Sequence, residues 1–388
     1  MALPLKVGVE WSGDLIPRSV SRDGRCRFPR ARPRHRSGSL LGEEVDVRAA
    51  VLTRVRRIEM QELPKPRPRP DEVLIRVRAA GVCGSDVHGF LGTHPYRKPP
   101  AVMGHEVSGD VEEVGSEVRS FRAGDRVIVV PQRSCGSCLY CRTGSPHLCT
   151  AKVMMGTSAW PGSFGEYVVA PEGTVIGIPD NLSYEEGVMC EPLAVGVHCA
   201  RRARIGIGDS VLVLGSGTIG LCCIAAARAA GATRIVATDA HDFNLELARK
   251  VGAGALFNVR GEGDLSRVVA EHVRPEGVDV AVVAAGLSPV VDQALANVRK
   301  LGRVALVALF DGAVSIAEPF HIIGKELEVV GVITYVHEDF HTAIDLIGSG
   351  AANVKGMVTH VLPIERAHRA MEIVHEKTEN NAKVILTF

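Results

Sequence analysis

Four cysteines fall within fifteen residues, in the pattern Cys135-x2-Cys138-x2-Cys141-x7-Cys149. Four thiolates satisfy tetrahedral Zn2+ and leave no position for water or substrate, so the role they suit is structural. The spacing is too short to close around a helix and predicts a loop wrapped on metal. Disulfides and an iron–sulfur cluster are the competing readings. The first is disfavoured because the N-terminus lacks the basic head and apolar core of a secretory leader.

A second set of ligand types is scattered. Cys83 opens Cys83-Gly84-Ser85-Asp86-Val87-His88, His105 and Glu106 follow Gly104, and Glu191 sits in Cys190-Glu191-Pro192-Leu193. One sulfur, one imidazole and one or two carboxylates suit a Zn2+ with an open coordination position. Such a site holds an alcohol oxygen and lowers its pKa, which hydride removal from the carbinol carbon requires. Taken singly, each residue reads as core or surface; a lone cysteine in an apolar stretch is usually packing.

Their company gives them weight. The apolar run Val211–Leu214 leads into Gly215-Ser216-Gly217-Thr218-Ile219-Gly220 and an Ala-rich helix through Ala230. The first glycine permits the tight turn, the second lets the backbone approach a pyrophosphate, and the third lets helix and strand pack. A second strand, Arg234–Asp239, ends in an acid 19 residues beyond Gly220. A carboxylate there accepts hydrogen bonds from ribose hydroxyls and repels a 2′-phosphate, favouring NAD over NADP. The alternative is a Gly-rich structural turn without ligand.

Elements must hold these groups in place. Arg48–Leu52 reads as a first strand and residues 64–70 as a proline-rich turn. Residues 71–78 alternate with period two, predicting a half-buried strand. Residues 100–180 are Gly-rich with short β-like runs. Ser183-Tyr184-Glu185-Glu186 is a capping box that opens a helix. From Ser210 the pattern alternates strand and helix, with apolar runs at 278–283, 303–309 and 327–332, and predicts a doubly wound parallel sheet. From Tyr335 the texture is mixed, and residues 381–388 form a strand able to rejoin the first domain. The predicted division is a β-rich domain of residues 47–191 and 335–388 and a nucleotide domain of 192–334. Cys190, Cys199, Cys222, Cys223, His198, His241 and His321 read as packing or surface residues.

Residues 1–46 stand apart, with eight Arg between Arg18 and Arg36 and no apolar period. They read as a disordered extension. A nucleic-acid tail or targeting peptide is the competing reading, and Glu10, Asp14 and Asp23 weigh against the latter. Across all 388 residues, 45 Lys and Arg face 44 Asp and Glu, a formal charge of +1. That balance excludes a dominant electrostatic partner such as nucleic acid. No apolar run approaches the ~18 residues of a membrane span.

Together these residues resemble the zinc-dependent medium-chain dehydrogenase/reductases over about residues 47–388. Glu191-Pro192-Leu193 and Tyr184-Glu185-Glu186-Gly187 look like its polyol (sorbitol-like) branch. The resemblance implies an α/β fold with a GroES-like β-rich catalytic domain and a Rossmann domain. It implies two Zn2+ per chain and NAD. Cys83 and His105 would ligate the catalytic zinc, with Glu106 and Glu191 acting there directly or through water, and Cys135, Cys138, Cys141 and Cys149 would hold the structural zinc. Ser85 and His88 match the proton relay, and Asp86 matches a carboxylate that orients the His ligand. Gly215, Gly217, Thr218, Ile219, Gly220, Asp239, Leu309 and Val332 would meet the cofactor. A cytoplasmic homodimer or homotetramer is implied, acting on a small-molecule alcohol without nucleic-acid or membrane partners.

Two positions depart from sorbitol-type enzymes: Gly89 stands where they carry an aromatic residue, and Thr334 where they carry an Arg. Both touch polyol hydroxyls in the family, which points away from sorbitol itself. The expected reaction interconverts a secondary alcohol of a polyol, cyclitol or sugar-derived compound and its ketone. Threonine 3-dehydrogenase or butanediol-type activity is the runner-up, and a noncatalytic zinc- and nucleotide-binding protein the reading from another class.

Overall fold

Strands in the first third of the chain arise where aliphatic runs lie between proline and glycine breaks. The computed structural model describes residues 46–388 other than 262, 311, 377 and 378. The Arg-rich segment and its reading lie outside the described residues. β1 (Asp46–Arg54) and β2 (Arg57–Pro64) form an antiparallel hairpin, and sequence reasoning had not singled out the second strand. Prolines from Pro64 onward, lacking a donor N–H, end that pairing.

β3 (Glu72–Val82) corrects an expectation. It is longer than residues 71–78, and of its eleven residues only Arg76 is exposed. The physical reason is its central place. The strand over residues 106–114 pairs along one edge, and two later strands share the other. Arg78 survives there because its Nε donates to Asp110 Oδ2 at 2.7 Å.

α1 (Gly84–Phe90) starts directly after Cys83. β4 (Ala101–Val102), β5 (Glu106–Val114), β6 (Arg126–Val129) and β7 (Gln132–Arg133) follow. Within the four-cysteine segment lie one turn of α-helix, α2 (Leu139–Arg142), and a 3-10 turn at Pro146–Leu148. The spacing predicts only a loop wrapped on metal, too short to close around a helix. One turn fits because Cys138 and Cys141, three residues apart, then share a face. β8 (Val153–Met154), β9 (Tyr167–Pro171) and β10 (Val175–Gly177) complete this part.

Ser183 caps α3 (Tyr184–Val188) as its sequence predicts, its side chain accepting from the Glu186 N–H at 3.2 Å. α4 (Cys190–Arg202) then leads into a regular alternation. It comprises β11 (Ser210–Leu214), α5 (Thr218–Ala229), β12 (Arg234–Asp239), α6 (Asp242–Val251), β13 (Ala255–Asn258), α7 (Leu265–His272), β14 (Val278–Val283), α8 (Ser288–Asn297), β15 (Val298–Leu306), α9 (Phe320–Gly324) and β16 (Glu328–Gly331). Its six strands are all parallel in the order β13-β12-β11-β14-β15-β16. The order reverses between β11 and β14, and ligands of doubly wound sheets bind at the carboxyl ends of the strands at that point.

The chain closes with α10 (His337–Gly348), β17 (Val358–Pro363), α11 (Ala367–Glu376) and β18 (Lys383–Thr387). β18 pairs with β3, so the last strand rejoins the first sheet as expected; that sheet runs β10-β6-β5-β3-β18-β17, with β9 also on β3. Buried cysteines 190, 199, 222 and 223 sit in the hydrophobic core between α4, α5 and the parallel sheet, as read. No helix among the described residues is long and apolar enough to cross a membrane.

Candidate active site

Strand register brings the scattered ligands together. Gly81, near the end of β3, lies opposite Glu106 at the start of β5. Cys83 thus emerges beside His105 and Glu106. One donor atom from each lies within 4.8 Å of the others. Gly81 makes room for this: a Cβ there would stand 1.9 Å from Glu106 Oε2. Sulfur, imidazole and carboxylate oxygen at such separations are a donor set that fits Zn2+.

Each donor is held from behind. Glu106 accepts from Lys383 Nζ, 2.7 Å from both carboxylate oxygens, and both residues are buried. Burial would drive the Lys383 ammonium pKa down, but the facing carboxylate outweighs it and raises it. His105 Nδ1 lies 3.3 Å from Asp86 Oδ1, as the expected orienting carboxylate requires, and also 3.1 Å from Arg97 Nη2. Burial alone would push the Asp86 carboxyl up; the charges of His105 and Arg97 prevail and hold it below the usual carboxylate range. Asp86 also accepts from the Cys83 N–H at 3.1 Å and the Gly104 N–H at 3.3 Å.

Glu191, in the first turn of α4, is buried but lies outside that three-residue group. Its Oε1 accepts from Tyr335 Oη at 2.7 Å. Burial pushes its carboxyl above the ordinary range, with Glu106 adding to the effect and His105 opposing it. Ser85 and His88 lie three residues apart on α1, both half-buried, and His88 Nδ1 is 3.2 Å from Thr93 Oγ1. Thr334 precedes Tyr335 at φ 49°, a value unusual for a β-branched residue, and its buried Oγ1 has no hydrogen-bond partner.

The four cysteines converge with one sulfur each within 4.8 Å of the rest. Backbone N–H groups aim at the sulfurs: Cys135 N at Cys149 Sγ (3.2 Å), Cys138 N at Cys135 Sγ (3.4 Å) and Ala151 N at Cys149 Sγ (3.4 Å). Such donors favour thiolates, the form that binds metal. None of the nine described cysteines is in a disulfide. The lobe is fastened to α4, which in turn holds α10. His147, two residues before Cys149, packs edge-on against His198 with centroids 4.9 Å apart, and His198 Nδ1 lies 2.8 Å from Asp339 Oδ2. His198 is therefore a packing residue, as read.

The glycine turn has the geometry a dinucleotide needs. Gly215 has φ 98°, and a Cβ on Gly220 would stand 1.8 Å from the Gly215 carbonyl oxygen. Gly217, before α5, faces open space. Asp239 is held beside the turn, accepting from Ser216 N (2.9 Å), His241 N (2.9 Å) and Asn244 Nδ2 (3.1 Å). Thr218 Oγ1 donates to the Ala382 carbonyl at 2.5 Å. Ile219 is half-buried on α5, Leu309 lies exposed after β15, and Val332 is buried just past β16. Both of the last two follow carboxyl ends of sheet strands.

Sequence reasoning missed Lys383 and Arg97. A charged residue opening the apolar run Lys383–Thr387 was a signal for the first; Arg97, in a proline-flanked loop, gave none.

A GroES-like sheet carrying an S/N/O donor set, a four-thiolate lobe and a dinucleotide turn at a sheet switch point define a class, the zinc-dependent dehydrogenases. The chain belongs to the zinc-dependent medium-chain alcohol dehydrogenase family: the alcohol dehydrogenase GroES-like domain matches residues 69–180 and the zinc-binding dehydrogenase domain residues 218–349. It is 37% identical to sorbitol dehydrogenase of Bacillus subtilis over 332 residues, covering 84% of this chain and 93% of that one. It is 38% identical to L-idonate 5-dehydrogenase of Vitis vinifera over 330 residues, covering 84% and 89%. Among solved structures, the NADH complex of an Escherichia coli alcohol dehydrogenase superposes with a TM-score of 0.82 at 28% identity, covering 88% of this chain and 99% of that one. The protein is a zinc- and nicotinamide-dependent alcohol oxidoreductase of the polyol dehydrogenase type.

Proposed function

We propose that the protein interconverts a secondary alcohol of a polyol, cyclitol or sugar-derived compound and its ketone with NAD, through the residues assembled above. One observation carries this reading. The start of β18 links both halves of the chemistry: Ala382 accepts from Thr218 of the glycine turn, and the next residue, Lys383, grips Glu106.

Bound Zn2+ supplies a Lewis acid that lowers the alcohol's pKa, and NAD+ supplies a hydride acceptor. Cys83, His105 and Glu106 are the residues that would hold the metal. Ser85 takes the hydroxyl proton and His88 passes it outward along α1. Asp86 fixes the His105 ring. Tyr335 orients Glu191 for a role beside the substrate, and the Thr334 hydroxyl, left without a protein partner, is available to a substrate hydroxyl. Gly215, Gly217 and Gly220 admit the pyrophosphate, with Thr218, Ile219, Leu309 and Val332 around the cofactor. Asp239 accepts from the ribose hydroxyls. A second Zn2+ in the four-cysteine lobe is structural. Polyol-type substrates are favoured over threonine and butanediol-type diols by the sorbitol and L-idonate relatives.

The division into residues 47–191 with 335–388 and 192–334 belongs to the same reading. So does a homodimer or homotetramer, supported by β16 at the sheet edge, where Val329 is 42% exposed, and by Ile333, two residues past that strand, at 49%. A cytoplasmic setting belongs to the same proposal.

The test is a panel of sugar alcohols, cyclitols, threonine and 2,3-butanediol, assayed by NADH formation with protein holding two zincs per chain. Turnover of a polyol or cyclitol above the other two supports the proposal. Equal turnover after chelation has removed the zinc refutes it.

A further inference from the structure

A buried guanidinium stands behind the metal-ligand histidine. Arg97 is 3% exposed and lies in the loop between α1 and β4. Its Nη2 is 3.1 Å from His105 Nδ1 and 3.3 Å from the Met155 carbonyl oxygen. Its Nε, buried and without a hydrogen-bond partner, faces Asp86 Oδ1 at 3.5 Å. Its backbone is pinned as well: the Tyr96 and Arg97 N–H groups both donate to His94 Nδ1 at 3.1 Å.

We propose that Arg97 is a positioning residue of the catalytic metal site, fastening the Asp86–His105 pair to the loop at Met155 from the side opposite the metal. The inference rests on the zinc reading above. With Nδ1 turned toward Asp86 and Arg97, Nε2 is the nitrogen left for the metal. Ligation through Nε2 leaves the ring proton on Nδ1, where Asp86 accepts it. A guanidinium has donors only, so it cannot share Nδ1 with that proton. Its other contacts are Asp86, the Met155 carbonyl and His94 Nε2, 3.2 Å from its Nη1, and holding the first two fixes the carboxylate that fixes the ring.

The surroundings show a built slot. A Cβ on Gly89 would stand 3.0 Å from Arg97 Cβ, and one on Gly156 would stand 3.2 Å from Arg97 Nε. The two bare positions admit the Arg97 side chain and leave no room for another. Burying a guanidinium against a fully buried carboxylate seldom stabilises a fold more than an apolar side chain of similar size. A positioning role accounts for it. The site then pairs each of its two flanking acids with a cation of its own, Glu106 with Lys383 and Asp86 with Arg97.

The test compares the wild-type holoenzyme with Arg97→Met, which keeps the stem, and Arg97→Lys, which keeps the charge. Zinc loss to dipicolinate is followed for both sites, with cobalt substituted at the catalytic site for its absorption spectrum. Arg97→Met is expected to release the catalytic-site metal about 10- to 100-fold faster and to change the cobalt spectrum. Arg97→Lys should recover part of both. Zinc in the cysteine lobe and NADH affinity should stay at wild-type values, which separates positioning from general loss of structure. Unchanged release and an unchanged spectrum overturn the proposal. If Arg97→Met does not fold, Arg97→Lys decides alone, and wild-type behaviour in it is the overturning result. A wild-type protein that holds one zinc and shows no turnover would instead sink the underlying zinc reading.

Discussion

The two cysteine-bearing sites solve the same problem in opposite ways. The lobe takes all four candidate ligands from residues 135–149 and orders them with backbone N–H groups of that same short segment, Cys138 on Cys135 and Cys135 on Cys149. The cleft takes Cys83, His105 and Glu106 from two strand ends. It then braces them with Lys383, 277 positions from its partner, while Tyr335 braces Glu191 across 144. A local site needs little of the fold and gives the fold a clasp. A dispersed site exists only once the two sheets are complete, and in return it is buried enough for electrostatics to act strongly.

That contrast breaks most visibly on removing one sulfur from each. Cys83→Ser is expected to lower turnover by about a thousand-fold or more, since the Lewis acid contributes several kcal/mol. The chain should keep one zinc and its NADH affinity. Cys141→Ser should empty the other site and lower Tm, with residual turnover well above that of Cys83→Ser. Metal analysis, calorimetry and an NADH assay on the same preparations check both. Equal losses of activity in the two variants would mean that the lobe is not separable from the chemistry.

A smaller effect isolates the bracing. Tyr335→Phe leaves buried Glu191 without its donor, a loss of about 1–3 kcal/mol. Turnover efficiency should fall about ten- to a hundred-fold, with two zincs retained. A variant that loses zinc as well would place Glu191 among the ligands.

The same contrast explains what the sequence disclosed. The lobe, the glycine turn, Asp239 and the Ser183 cap are contiguous patterns; the turn and the cap fold as their spacing implies, while the lobe gathers its sulfurs but adds the helical turn α2. The terminal strand and the parallel alternation were legible because apolar runs between glycines leave few other options. β2 was missed because its polar side faces outward and blurs the strand signal. β3 was read as half-buried because Arg76 and Arg78 imitate an alternating face, and only the complete sheet shows strands on both its edges. Lys383 and Arg97 act through partners that a linear reading cannot align. Glu191 reads from the sequence as acting at the metal directly or through water; in the fold its carboxylate accepts from Tyr335 and lies outside the three-donor group.

The smallest expected effect tests whether the lobe's chemistry is as local as its ligands. The Cys135 thiol is pulled down to about 6, chiefly by the Ser137 hydroxyl 3.6 Å away and also by backbone N–H groups. Partial desolvation and neighbouring thiols push Cys141 up to about 11. Zinc binds thiolates, so each thiol still protonated must release a proton, and affinity falls as pH falls. Above about pH 6 Cys135 has already released its proton; the pH slope of affinity there should be shallower than four protons per zinc, and should steepen below about 6. Ser137→Ala removes the leading cause of the lowered value. It should raise the Cys135 pKa, steepen the slope near pH 7 and weaken zinc binding there by less than about tenfold, the equivalent of one pKa unit. Competition with a chelator across pH measures this directly. A slope that Ser137→Ala leaves unchanged would mean that the lobe's affinity is set from further away, through His147 and its contact with His198, and the two sites would then differ less than their ligand spacing suggests.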